Sequence, residues 1–279
     1  SPPAMLRGQA AEWLPAFRVA VRSLPESAIV GTALSQSGVL GLPQEQGNRL
    51  LPLVTNEYLQ MAQSPTYAKA DSALPYCYGE AKPTTGFAQV YVPKGAKAAT
   101  PAMVFLHGTG GSFLWYQHVL SKHFPDHLII CPAYGIGTHL LPATYFLECR
   151  SAVSKKLGIP ITNPDLIGLS AGGFGACRLF AEIPDEFSQL ICLAAFPDDA
   201  AIAKLRRGDR LRFLAGAEEP FVTSGDLQRR LERLRSKGAM VDERTVPLAD
   251  HFFLLSHQKE TAEILGNWLA TESTHRRTQ

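Results

Sequence analysis

The rhythm of apolar positions changes near residue 87. Upstream, Leu6, Ala10, Trp13, Leu14, Phe17 and Val21 form one stripe at helical spacing, with Pro15 either kinking that helix or starting a new segment. Gly- and Gln-bearing loops follow, then a second helical stretch over about residues 51–61 and an irregular connection over 64–75. From residue 87 onward, short apolar runs read as strands at 87–92, 102–106, 128–131, 166–169, 190–194, 211–215 and 241–246. Helical patterns lie between most of them, at 115–124, 143–156, 171–181, 201–206, 226–236 and 260–269. Short strands alternating with helices predict an α/β fold with a mostly parallel central sheet covered by helices on both faces. Residues 1–80 then form a helical N-terminal extension packed on an α/β unit of residues 81–279, since no Pro-, Gly- or Ser-rich linker separates the two. Ligands in such sheets bind beyond the carboxyl ends of the strands, so the chemistry should follow strand ends.

Composition narrows the function classes. Hydrophobic residues are 46% and charged residues 19% of 279, the balance of a chain with a packed core. A net charge of +2 predicts neither a nucleic-acid nor a membrane-surface partner. The densest basic stretch, residues 228–235, is a solvated helix face, because Leu227, Leu231 and Leu234 repeat through it at helical spacing. No apolar run approaches the roughly 18 residues of a membrane span. Glu12, Pro15 and Arg18 interrupt the place where a signal peptide's apolar region would lie, and the chain begins at Ser1. The expectation is a cytoplasmic protein or the mature form of an exported one.

Cys77, Cys131, Cys149, Cys177 and Cys192 are odd in number and form no C-x-x-C, so they read as small buried hydrophobes, with one disulfide left open. His118, His123 and His127 span a helix and the turn after it without a carboxylate or Cys partner at ligand spacing. No metal and no cofactor is expected.

The strand at 166–169 runs into Gly168-Leu169-Ser170-Ala171-Gly172 and then a helix. This is G-x-S-x-G in strand–turn–helix context, where small neighbours let a nucleophilic serine stand clear of the sheet. The strand at 102–106 ends in His107-Gly108-Thr109-Gly110-Gly111, a glycine-rich turn able to aim backbone N–H groups at a developing oxyanion. The amides of Ala171 and Thr109 are the candidate donors, with Gly110 as the alternative to Thr109, and His107 reads as a loop organiser. After the strand at 211–215, Glu219 in Gly216-Ala217-Glu218-Glu219-Pro220 is placed to orient an imidazole. Asp198 competes for that role, Glu218 reads as a solvated bystander, and Asp226 reads as a helix cap. His251 follows the last strand and is the candidate base, ahead of His257 inside or beside the next helix. Trp115, Tyr116 and Phe221 stand near these loops and read either as an acyl-pocket lining or as core.

The order Ser170, Glu219, His251, with the His107-Gly108 turn upstream, resembles the α/β-hydrolase superfamily of serine esterases, lipases and peptidases over about residues 87–270. The resemblance implies acyl transfer through an acyl-enzyme on Ser170, with an ester as substrate and an amide or thioester as alternatives. Two departures stand out. The acid is Glu where most relatives carry Asp, and only one short helix fits between the strands at 190–194 and 211–215, where lidded lipases insert a large cap. In this the chain is similar to cutinase-like, feruloyl-esterase-like and polymer-depolymerase-like members. Epoxide hydrolases and dehalogenases carry Asp where Ser170 stands. A non-catalytic scaffold on the same fold is the remaining alternative.

Overall fold

The computed structural model describes residues 10–37, 42–78, 87–136 and 141–276. Among these described residues, seven strands form one sheet: β1 Phe87–Tyr91, β2 Ala102–Leu106, β3 Leu128–Ala133, β4 Asp165–Leu169, β5 Leu190–Leu193, β6 Arg210–Gly216 and β7 Met240–Val246, in the order β1-β3-β2-β4-β5-β6-β7. β1 runs antiparallel to β3, and every other pairing is parallel. The helices are α1 Ala10–Ser23, α2 Glu26–Ser35, α3 Gln44–Gln63, α4 Leu74–Cys77, α5 Leu114–His123, α6 Ala143–Leu157, α7 Ala171–Glu182, α8 Asp199–Lys204, α9 Pro220–Thr223, α10 Asp226–Ser236, α11 Phe253–Ser256 and α12 Gln258–Arg276. None of the described helices is long and apolar enough to cross a membrane.

The sheet is buried on both faces, which explains why its central strands read as unbroken apolar runs. Met103 and Phe105 of β2 pack with α3, α5 and α12 on one side. Val104 and Leu106, pointing the other way, pack with α6, α7 and α10. Val30, Leu34, Leu50, Val54 and Met61 of α2 and α3 belong to the same core as Met103 and Phe105, so the N-terminal helices share the apolar interior of the sheet's first face. The division expected near residue 80, like Leu6 of the first stripe, falls outside the described residues.

Several expectations are corrected. The loops expected after Val21 contain α2, which buries Glu26, Ile29, Val30 and Leu34 on one face, while its exposed face carries only the small residues Ser27, Ala28, Thr32 and Ser35, too weakly polar to mark a stripe. Pro15 lies inside α1, and Pro52 lies inside α3, which begins at Gln44, well before the expected residue 51. Asp226 does not cap α10. Gly225, in the left-handed region at φ 72°, takes the cap position, and Asp226 sits in the first turn, accepting from Arg230 Nε at 3.3 Å. The five cysteines are free thiols, with the sulfurs of Cys177 on α7 and Cys192 on β5 at 3.3 Å. Only α8 stands between β5 and β6, in keeping with the short connection in the sequence.

Candidate active site

Three strand ends converge at the carboxyl edge of the sheet. Ser170 follows β4 and is the residue from which α7 starts, at φ 53° and ψ −119°, a left-handed conformation that non-glycine residues rarely adopt. The turn is crowded from every side. A Cβ on Gly168 would lie 2.3 Å from Gly172 O, one on Gly172 would lie 2.2 Å from Leu106 O, and one on Gly173 would lie 2.3 Å from Ala195 Cβ. Only glycine fits these contacts, two of them with backbone and one with the Ala195 methyl group. The Ser170 N–H donates to Leu193 O at 2.8 Å, and Gly173 and Phe174 donate back to Ser170 O, which pins the turn between β5 and the first turn of α7.

His251 follows β7 on a short loop, with its Nε2 2.9 Å from Ser170 Oγ. Its Nδ1 lies 3.1 Å from each carboxylate oxygen of Glu219. Glu219 is 3% exposed, whereas the His251 side chain is 38% exposed. The two loops are tied together: Glu218 N–H donates to Ala249 O at 3.0 Å and Ala217 N–H to Val246 O at 3.0 Å. Gly216 permits the approach, since a Cβ there would lie 2.3 Å from Ala249 O. The Glu218 side chain is exposed. The competing acid is engaged elsewhere. Asp198 caps α8 by accepting the Ala201 N–H at 2.8 Å and is held by Arg178 at 2.7 and 2.9 Å. Despite partial burial, these bonds and the arginine charges hold its carboxyl below the ordinary value. His257, between α11 and α12, meets Ser256 Oγ at 2.9 Å.

The turn after β2 stands beside this group, since a Cβ on Gly108 would lie 3.5 Å from Ser170 Cβ. Gly110 and Gly111 occupy φ 103° and 126°. The Gly110 N–H donates to Ile136 O at 2.6 Å. The N–H groups of Thr109 and Ala171 meet no acceptor among the described residues. His107 is fully buried, with Nδ1 2.8 Å from Gly108 O. Burial pushes its pKa down to about 4 against the opposing pull of that bond, so the ring is neutral and its Nδ1–H donates to the carbonyl.

The aromatic candidates divide. Trp115 and Tyr116 are buried in the core of α5, in contact with each other at 4.1 Å between ring centroids. Tyr116 Oη still reaches the underside of the Gly108 turn, 3.6 Å from where a Cβ would stand. Phe221, half-buried, packs edge-on against Phe196, which packs edge-on against Phe174. Phe174 and Phe196 escaped the sequence reading, although Phe174 stands one helical turn after Ser170, on its side of α7. Also unforeseen is Asp250, beside His251, which accepts from Gln46 Nε2 at 2.8 Å and pairs with Arg49, both on α3. The three histidines are not drawn into one ligand set: His118 Nδ1 meets Glu57 Oε2 at 2.8 Å, and His127 lies edge-on to Phe124. Among the described residues, no group of three or more His, Cys, Asp or Glu is arranged to hold a metal ion.

The mostly parallel sheet, with a serine turn after β4 and a histidine loop after β7, has the architecture of the α/β-hydrolases. The comparisons agree. A structure described as a lipase in open form superposes with a TM-score of 0.55 at 11% identity, over 67% of this chain and 94% of that one. Esterase 2 of Thermogutta terrifontis superposes with a TM-score of 0.52 at 16% identity, over 66% and 88% of the two chains. This chain has the α/β-hydrolase fold. In sequence it is similar to a pimeloyl-[acyl-carrier protein] methyl ester esterase of Vibrio vulnificus, 30% identical over 143 residues, or 50% of this chain. The chain spans about half the length of the curated relatives it matches, 53% of each. No protein-family model matches it.

Proposed function

We propose that this chain is a serine hydrolase that cleaves carboxylic esters through an acyl-enzyme. The observation that carries the reading is the unbroken hydrogen-bond chain from Ser170 Oγ through both ring nitrogens of His251 to the buried carboxylate of Glu219. Glu219 accepts the Nδ1–H and leaves Nε2 as the acceptor facing the serine. Ser170 Oγ attacks the ester carbonyl while its proton passes to Nε2. The carbonyl oxygen becomes an oxyanion that the Thr109 and Ala171 amides receive. The imidazolium then returns the proton to the departing alcohol oxygen, the C–O bond breaks, and the acyl group stays on Ser170 until water repeats the cycle.

The likeness to methyl ester esterases favours an ester over an amide or thioester. Among the aromatic candidates, Phe221 is assigned to meet the substrate from the Phe174–Phe196–Phe221 group, while Trp115 and Tyr116 support the site from the core. The test is fluorophosphonate labelling with peptide mapping, followed by methyl and aryl esters beside matched amides and thioesters. The expected result is an adduct on Ser170, absent from Ser170→Ala, and ester turnover reduced by about 10³-fold or more in that variant. A folded wild-type protein that takes no adduct and turns over no ester would overturn the reading in favour of a binding scaffold.

A further inference from the structure

We propose that Glu26, on the N-terminal helices, is a positioning residue of this site: its carboxylate fixes the loop that presents the Thr109 amide. The inference rests on the reading of that amide as an oxyanion donor. Glu26 is 5% exposed. Its Oε1 accepts the backbone N–H of Leu114, the first residue of α5, at 2.6 Å, at the helix end where partial positive charge gathers. Tyr58 Oη donates to the same oxygen at 2.7 Å, and Ser72 Oγ donates to Oε2.

The neighbouring loop residues are held from the same side. The Ser112 N–H points to Cys77 Sγ at 3.4 Å, and a Cβ on Gly111 would lie 2.8 Å from Leu74 Cδ2. Ser72 joins the two supports, because the Leu74 N–H donates to its Oγ at 3.2 Å. Gly110, next in line, is tied to Ile136 O. Thr109 therefore stands between residues clamped on one side and Gly108, packed against the Ser170 turn, on the other.

An apolar side chain would fill the space that Glu26 occupies at less cost than a desolvated carboxylate, but it would leave the Leu114 N–H without an acceptor. What the carboxylate adds is the direction in which α5 and the loop before it are pulled. An oxyanion donor is sensitive to such placement, and a shift of about 1 Å costs on the order of 10²-fold in rate.

The experiment compares Glu26→Leu and Glu26→Gln by ester kinetics and by amide hydrogen exchange of the peptide covering residues 108–114. In Glu26→Leu, kcat falls about 10- to 100-fold with KM within about twofold, because the lost interaction is with the transition state. Exchange at 108–114 rises while exchange at 249–252 stays at the wild-type level. Glu26→Gln keeps an oxygen for the Leu114 N–H and restores kcat to within about threefold of wild type. Should Glu26→Leu not fold, Ser72→Ala and Tyr58→Phe each remove one donor to the carboxylate and should show the same split at about threefold to tenfold. Wild-type kcat and exchange in these variants, or a loss confined to KM, would overturn the proposal. If the wild type neither hydrolyses esters nor labels at Ser170, the esterase reading fails by itself, and the exchange measurement still decides whether Glu26 holds the loop.

Discussion

At the scale of single residues, Ser170 stands in a left-handed backbone conformation whose cost, of order 1–3 kcal/mol, the surrounding contacts must offset. The prediction that separates chemistry from scaffolding here concerns the two candidate acids. In Glu219→Gln, the carboxamide is nearly isosteric, but it turns an N–H₂ toward His251 Nδ1 and favours the tautomer that carries its proton on Nε2, facing Ser170. Ester kcat should fall about 10³- to 10⁴-fold, with thermal stability little changed. Asp198→Asn should leave kcat at the wild-type level and cost about 0.2–1 kcal/mol through the lost Arg178 charge pair, since Asn caps α8 as well as Asp does, read by denaturant titration. The reverse pattern would move the acid to Asp198. Both carboxylates follow a strand in the sequence, so spacing alone leaves them in competition. They differ in partners that sit far away along the chain: Arg178 for one, His251 for the other. Asp226 yields the cap position for a backbone reason, because Gly225 reaches a left-handed conformation that a side chain resists.

At the scale of elements, the sheet was legible because β2 to β5 are short apolar runs, each with a helix behind it, and its seven strands lie within two residues of their expected ends. The N-terminal helices were less legible. The exposed face of α2 carries Ser27, Ala28, Thr32 and Ser35 and its buried face carries Glu26, so the contrast between its faces is weak, and the prolines inside α1 and α3 look like breaks when seen only as sequence. The glycines of these elements make a paired prediction. Gly31, within α2, has nothing within 4 Å of where a Cβ would stand, so Gly31→Ala should stabilise by about 0.5–1 kcal/mol through helix propensity alone. Gly172→Ala places the same methyl 2.2 Å from Leu106 O and 2.4 Å from His107 O, which are backbone atoms of β2 and its turn. That variant should lose about 1–3 kcal/mol or more and displace the serine turn. Calorimetry should therefore show the two melting temperatures moving in opposite directions, and a Gly172→Ala protein as stable and active as wild type would refute the close packing.

At the scale of the whole molecule, charged groups tie the N-terminal helices to the α/β body at both ends of α3. Arg49 and Gln46 hold Asp250 beside His251, and Glu57 lies in a buried cluster that joins three parts of the chain. Glu57 on α3 meets His118 and Lys122 of α5 and Gln258 of α12. Burial alone would raise its pKa, but the bonds from His118, Gln258 and Lys122, with the lysine charge, outweigh it and hold the carboxyl down to about 2 from an ordinary 4.5. A folded-state pKa below the unfolded one means that the native state binds fewer protons in acid. The stabilisation is then complete above about pH 4.5 and is lost as pH falls from there toward about 2. Glu26 has the opposite sign: burial, opposed by its hydrogen bonds from Ser72, Tyr58 and Leu114, raises its pKa, so its contribution is lost as pH rises through that raised value. The two variants should therefore reshape the stability curve differently. Glu57→Gln should lower the melting temperature by several degrees at pH 7, as expected for a loss of a few kcal/mol in a chain of this size, and flatten the decline below about pH 4.5. Glu26→Gln should steepen that decline, because the group whose protonation favours the fold in acid is gone. Melting curves recorded from pH 7 to pH 3 for both variants and the wild type would decide it. A Glu57→Gln curve that runs parallel to the wild type through the acid range would show that this cluster is not what couples the joining of the chain's two ends to pH.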